Sequence, residues 1–402
     1  MKKLAYIYSF LLVFNLLYTG CNREDSGDQF STLGASQDKQ NIINAGLALF
    51  SETKGLSETS FATLGVHLSA YMTKEMSSHQ NLVYSIALIG ESMANETFVQ
   101  SQFEDLMLLT TTSCGDLGIL WNQGHGTWEW NNELSDFEQT SDLGDDITLF
   151  FPSEPGKEEN NAFLRLYDFS TYDGDFPGKG DELDDGSTMT EILKSLYLEI
   201  KVDDKLVASS NIIIDFSDSG KIENLNLTFN PIPYSFQSEM SAKDNNAIWR
   251  YTLLNDFELI FEQVISGTYE ETSDDNPLIK NLQSSTQIFN IKLMADVNSA
   301  QLLDDISIIE TKEMESEKVA TETAQLVNDN STISLRYTND AIIANGQAVA
   351  RELNDDSNEW IVDVAFTFSD GSTEYITDLI TYLYLFEDNL NLILKKTQNK
   401  LN

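Results

Sequence analysis

The strongest constraint on the fold is a long series of short segments in which apolar and polar residues alternate, divided at close intervals by Asp, Asn and Gly. Ser195 to Val202 is one such segment, Asp203-Asp204-Lys205 a turn, and Leu206 to Phe216 the next. Asp218-Ser219-Gly220-Lys221 turns the chain again into Ile222 to Phe229. Alternate side chains of a strand point to opposite faces, so a period of two predicts strands with one buried face, and turn formers between them predict hairpins. Ile147 to Phe151, Ala162 to Phe169, Leu253 to Ile265, Gln287 to Val297, Thr332 to Tyr337, Ala341 to Val349, Trp360 to Phe368 and Tyr375 to Leu385 read the same way. Leu120 to Asn131 reads as strand, glycine-containing turn and strand, with Trp128 and Trp130 on one face. Asp370-Gly371 is a two-residue hairpin signal, and Pro231 and Pro233 suit a sheet edge or corner.

Ahead of this lies a region with a different period. Phe61, Leu64, Leu68, Tyr71 and Met72 fall on one face of a 3.6-residue helix, as do Leu82, Ile86, Ile89 and Met93. Val99, Phe103, Leu106 and Met107 continue the pattern, and three or four helices are expected over residues 39–112. Gly46, Gly65 and Gly90 run against it, since glycine inside a helix costs up to about 1 kcal/mol. Residues 299–328 are charged and helix-prone, and residues 266–285 read as a polar loop and boundary. The expectation is an α+β fold: a helical N-terminal layer followed by mostly antiparallel β-sheet, in the manner of a sandwich or half-barrel. Its parts are residues 1–20, 21–38, a helical region 39–115, an antiparallel region 116–270 and a C-terminal α+β region 271–402.

The first two parts are a leader and a tether. Lys2 and Lys3 precede an apolar run of 14 residues, Leu4 to Leu17, interrupted only by Ser9 and Asn15. That is short for a membrane-spanning helix, which takes about 20 apolar residues, and has the proportions of a signal peptide. Leu17-Tyr18-Thr19-Gly20-Cys21 then places small residues before a cysteine. This resembles the lipobox of bacterial lipoproteins, apart from Tyr18, where an aliphatic residue is usual. The resemblance implies cleavage before Cys21, lipidation of its sulfur (the palmitate type of modification) and acylation of the new N-terminus. It covers only about the first 25 residues. The acidic stretch Asn22 to Asp28 is similar to the signal that displays Bacteroidetes-type lipoproteins on the outer face of the outer membrane. The expected location is therefore the cell outer membrane, lipid-anchored and surface-exposed.

Charge excludes one class of partner. The chain holds 24 basic and 65 acidic residues, a net of 24 − 65 = −41, and loss of Lys2 and Lys3 with the leader makes it −43. Nucleic-acid binding rests on phosphate neutralisation by Lys and Arg, so it is rejected. With Cys21 lipidated, Cys114 has no partner and no intrachain disulfide is expected.

Catalytic motifs are missing. His67, His79 and His125 have no zinc-ligand spacing, and neither a nucleophile elbow nor a phosphate-binding loop occurs. No cofactor is expected, with calcium the one candidate: Asp173, Asp175, Asp181, Asp184 and Asp185 crowd one turn-rich loop, for which the alternative is simple solvation. Trp121, Trp128 and Trp130 are the candidate ligand-binding residues, as platforms for a glycan or anchors for a protein partner, with core packing as the alternative. The function that follows is a lipid-anchored, non-enzymatic binding or assembly component held to the membrane by its N-terminal lipid. An extracellular hydrolase with a convergent site around His125 and a periplasm-facing lipid or lipoprotein carrier are the alternatives.

Overall fold

A computed structural model describes residues 29–72, 77–95, 121, 124–176, 179–180, 192–270, 278–298, 316–352 and 360–379. Cys21, the leader, Cys114, Asp181, Asp184 and Asp185 lie outside the described residues, as does the stretch 380–385 of the last expected strand. The chain divides into two compact units. A middle unit gathers Ser51–Met240, Leu253–Glu258 and Leu392–Asn402, and a terminal unit gathers Met1–Phe50, Ser241–Thr252 and Leu259–Asn391. The first helix, α1 (Ala35–Ser57), contributes to both, and it begins inside the stretch read from the sequence as tether.

In the middle unit α2 (Ser60–Ser69) and α3 (Ser78–Ala94) come before the strands. Both helices start where a hydroxyl can take over an orphan backbone donor: Thr59 Oγ1 accepts from Ala62 N at 3.2 Å, and Ser77 Oγ from Gln80 N at 3.4 Å. The strands are β1 (Gly126–Asn131), β2 (Asp136–Ser141), β3 (Ile147–Phe151), β4 (Ala162–Tyr172), β5 (Ile192–Val202), β6 (Lys205–Phe216), β7 (Ile222–Pro231) and β8 (Tyr234–Lys243). Their order is β2-β1-β3-β4-β5-β6-β7-β8. The registered pairs are antiparallel except β1 with β3, which run parallel.

Alternation decides the core of this unit. Ile147, Leu149 and Phe151 of β3, Leu164 and Leu166 of β4, Ile212 and Ile214 of β6, and Leu225, Leu227 and Phe229 of β7 are buried at every second position. Phe61 of α2 meets Phe229 edge-on at 5.2 Å between ring centres. The glycines that weaken α2 and α3 as isolated helices are what lets them cross. A Cβ on Gly65 would lie 2.5 Å from the Gly90 Cα, and a Cβ on Gly90 2.7 Å from the Phe61 carbonyl oxygen.

The terminal unit holds β9 (Asn246–Asn255) up to Thr252, β10 (Glu258–Glu270) from Leu259, β11 (Leu278–Ile288), β12 (Ile291–Val297), β13 (Ser331–Tyr337), β14 (Ile342–Glu352), β15 (Trp360–Phe368) and β16 (Thr373–Tyr375). Helix α4 (Ser316–Asn330) precedes β13, and the short α5 (Ile376–Leu379) follows β16. The order is the chain order, and every registered pair from β10 to β16 is antiparallel. One face is apolar: Ala295, Val297, Ile333, Leu335, Ile343, Val364 and Phe366 pack with Ala35 and Ala45 of α1 and Ala320, Ala324 and Val327 of α4. Asp38 of α1 is fully buried and accepts the Tyr337 hydroxyl at 2.8 Å, which in turn accepts from Asn41 Nδ2 at 2.8 Å. Ile342 N donates to the Gln29 carbonyl at 3.0 Å, fixing where the N-terminal segment joins the unit.

The α+β expectation, with helices first and a mostly antiparallel sheet after them, describes these units. The sandwich form does not: in each unit the strands lie in one sheet, and the second layer is helical. Several segments depart from the sequence reading; Tyr375 to Leu385, read as a strand, is helical over Ile376–Leu379. Of the expected strand before the glycine-containing turn, the described residues Trp121 and Gly124 are helical, and β1 begins at Gly126. Residues 266–285 are not a loop through their described length, since β10 runs to Glu270 and β11 starts at Leu278. Gln287 to Val297, read as one strand, is a hairpin that turns at Phe289-Asn290.

The helix crossing carries a prediction. Gly65→Ala and Gly90→Ala each force backbone apart at a packed contact, and overpacking of this kind costs about 1–3 kcal/mol. Urea denaturation followed by far-UV circular dichroism should show that loss for either variant. A midpoint unchanged or raised in both would mean that the helices do not meet at these glycines.

Candidate binding cleft

The tryptophans singled out by sequence are occupied by protein contacts. Trp130 is buried, at 5.4 Å and 78° to Phe137 and 5.7 Å and 72° to Tyr71 between ring centres. Tyr71 donates its hydroxyl to the Pro152 carbonyl, and burial holds its pKa above the ordinary phenol value. Trp128 lies 4.1 Å from the imidazole of His79, and both rings aim a nitrogen at one acceptor. Trp128 Nε1 is 2.9 Å and His79 Nε2 3.2 Å from the Gly124 carbonyl oxygen. Trp121 stacks on Phe169 at 4.7 Å and 21°. Ser77 Oγ donates to Asp136 Oδ1 at 2.7 Å and Gln80 Nε2 to the Ser135 carbonyl at 2.6 Å, so the start of α3 is sewn to the β1–β2 hairpin beside these rings. A shallow hollow of about 410 Å³ adjoins Trp130, rimmed by Glu129, Glu133 and Glu138.

His125 meets backbone and a side-chain amide. Its Nδ1 sits 3.3 Å from the Trp121 carbonyl, and its own carbonyl accepts from Gln139 Nε2 at 3.1 Å. In the acidic loop, Asp173 and Asp175 are exposed, and the cation that meets this loop is Lys179. The Lys179 ammonium donates to the Gly174 carbonyl at 2.9 Å and to that of Asp173. Among the described residues no three metal-ligating side chains come together.

A further concave feature lies in the terminal unit. A cleft of about 800 Å³ lies across the ends of β9 to β13 and the last turn of α4. Ligand pockets fall at about 300–1,000 Å³, so the size suits a small or oligomeric ligand. Register builds its floor. Ser266 pairs Gln283, Gln283 pairs Asp296, and Asp296 pairs Thr332, so one polar row crosses four strands. Thr268 and Asn281 form a second row one step along. Ser266 Oγ donates to Gln283 Oε1 at 3.2 Å, and Asn281 Nδ2 to Thr268 Oγ1 at 3.4 Å. Asn246, Ala247 and Ile248 of β9 make one wall.

Helix α4 makes the other wall, because it runs into β13 without a loop. Asn328 is spent on position: its amide donates to the Ala348 carbonyl and accepts from Ala348 N, both at 2.8 Å. Asp329 Oδ1 accepts from Gln325 Nε2 at 2.8 Å, and Asn330 Nδ2 donates to the Leu326 carbonyl at 3.0 Å. The Asn330 carbonyl accepts from Asn298 N at 2.9 Å, closing the end of β12 against the helix. Of the sixteen described lining residues ten are Asn, Gln, Ser or Thr, two are Asp, and none is Lys, Arg, His or Cys. Such a surface gives and accepts hydrogen bonds without carrying positive charge.

None of these lining residues stood out in the sequence. The available signal was Leu282, buried between Asn281 and Gln283, which shows the strand period with its polar side outward.

No family model matches the chain, and no curated protein matches it. Among solved structures the chain is similar to the crystal structure of a porin-like protein from Bacteroides vulgatus, with 8% identity and a TM-score of 0.18. That similarity covers 62% of this chain and 90% of the other, and is too distant to bear on function.

The His79 environment yields a pH prediction. Burial lowers its pKa below the ordinary 6.5, with the Gly124 carbonyl and Asp136 opposing more weakly. The unfolded chain therefore binds the proton more tightly, so this contribution to stability is complete above about pH 6.5 and is lost as pH falls through that value. Between pH 7.5 and 5.5 the wild-type melting temperature should fall, and His79→Gln should flatten the slope while keeping a donor for Gly124. An identical slope in both proteins would remove His79 from the account.

Proposed function

We propose that the protein is a lipid-anchored, non-enzymatic binding component of the bacterial outer membrane, tied by an acylated Cys21 and carrying its ligand site in the cleft of the terminal unit. The observation that carries the binding part is the cleft lining, in which amides and hydroxyls dominate and general bases of the His or Cys type are missing among the described residues. A lipid carrier needs an apolar cavity, and this lining favours a polar ligand. The anchoring part rests on Thr19, Gly20 and Cys21 behind an apolar leader, and the surface-facing part on the acidic stretch that follows. Two or more acyl chains give stable attachment where one gives only marginal binding.

Fractionation of cells expressing wild type and Cys21→Ser, with protease shaving of intact cells, tests this reading. The wild-type protein should sediment with outer membranes and be cut by external protease, and the variant should leave the membrane fraction. Membrane attachment that survives Cys21→Ser would overturn the anchor. Wild-type protein that is membrane-bound yet protected from protease would overturn surface display.

A further inference from the structure

We infer that the cleft of the terminal unit binds a neutral oligosaccharide segment of a polysaccharide; this rests on the binding reading above and names its ligand class. Three features of the lining select that chemistry. First, sugar hydroxyls both donate and accept, and so do the groups that meet them here. Gln283 and Asn298 each present a carbonyl oxygen and an NH₂, Asn281 and Asn246 a carbonyl oxygen and the N–H left over from their bonds to Thr268 and to the Asp244 carbonyl, Thr332 a hydroxyl, and Ser266 a hydroxyl oxygen that can still accept. Second, Asp296 and Asp329 place carboxylate oxygens at the floor and at the α4 wall. A carboxylate accepts from adjacent hydroxyls and repels another anion. With no cation among the described lining residues and a net charge of −41 on the chain, the field at the cleft disfavours an anionic ligand. Third, Ile248 is exposed at the β9 wall, an apolar patch of the size that the C–H face of a sugar ring covers.

The frame of the site is set before any ligand arrives. The rows Ser266–Gln283 and Thr268–Asn281 are held by strand register and by the hydrogen bonds that join each pair, and the α4 wall by both bonds of Asn328. Little ordering is left to oppose binding, which matters for a ligand held mainly by hydrogen bonds.

Native gel electrophoresis of the mature full-length protein in detergent, through gels containing dextran, barley β-glucan, yeast mannan or xylan, tests the inference. Polygalacturonate serves as the anionic probe. Retardation is expected with at least one neutral polysaccharide and not with polygalacturonate. Gln283→Ala and Thr332→Ala, both on the solvent side of the sheet, should weaken that retardation at least tenfold with unchanged circular dichroism. Tyr197→Ala in the middle unit should leave it intact. No retardation by any of the four neutral polymers, retardation by polygalacturonate alone, or retardation that survives both cleft variants would overturn the assignment. Failure of the anchored reading is told apart by fractionation: a membrane-held protein that ignores all four polymers keeps its anchor and loses this ligand, and a released protein that is retarded does the reverse.

Discussion

The alternation of apolar and polar residues along the strands is the constraint on which the rest depends. A strand whose every second side chain is apolar gives a sheet one face that must leave water and one that can stay in it. In the middle unit that face carries Leu149, Leu164, Ile212 and Leu227; in the terminal unit it carries Val297, Ile333, Val364 and Phe366. Apolar burial is worth about 25 cal/mol per Å², so the exposed half of such a pattern would be a large liability without a cover. Helices supply the cover. In the terminal unit the helical residues at the interface are mostly alanines, Ala35, Ala45, Ala320 and Ala324, which bring helix and sheet close. In the middle unit, Gly65 and Gly90 do the same between two helices.

The cleft is a consequence of the same division. Once α4 lies on the apolar face and runs directly into β13, its last turn sits at the strand ends, and Asn328 to Asn330 stand beside the polar face of β10 to β13. In a chain with 65 acidic residues the row Ser266, Gln283 and Thr332 is uncharged, with Asp296 alone among its partners.

Much of the fold was legible because burial writes itself into the sequence. The β5–β6 and β6–β7 hairpins, the β15 turn at Asp370-Gly371, and α2 and α3 all follow from period and turn chemistry. What was hidden has identifiable causes. The turns at Asp244-Asn245 and Asp256-Phe257 place both central residues at positive φ without a glycine, 49° and 62° in the first and 46° and 73° in the second. Asp and Asn tolerate that conformation, so their hairpins gave a weaker signal than Asp-Gly would. Residues 266–285 were read as a loop because Ser266, Thr268, Asn281 and Gln283 are the polar half of strands, which is also what makes them cleft residues. The tryptophans drew attention by their clustering, and the cluster serves the junction of α3 with the β1–β2 hairpin. Aromatic size announces itself in a sequence; a row of amides assembled by register from distant strands does not.

The proposed tie of this molecule to a membrane runs through Cys21. The most direct measurement is mass spectrometry of the N-terminal peptide from protein extracted with detergent from its own cells. The account predicts that this peptide begins at Cys21 and carries fatty-acyl mass on that residue. A peptide that retains residues from Met1 to Gly20, or one that begins at an unmodified Cys21, would contradict it.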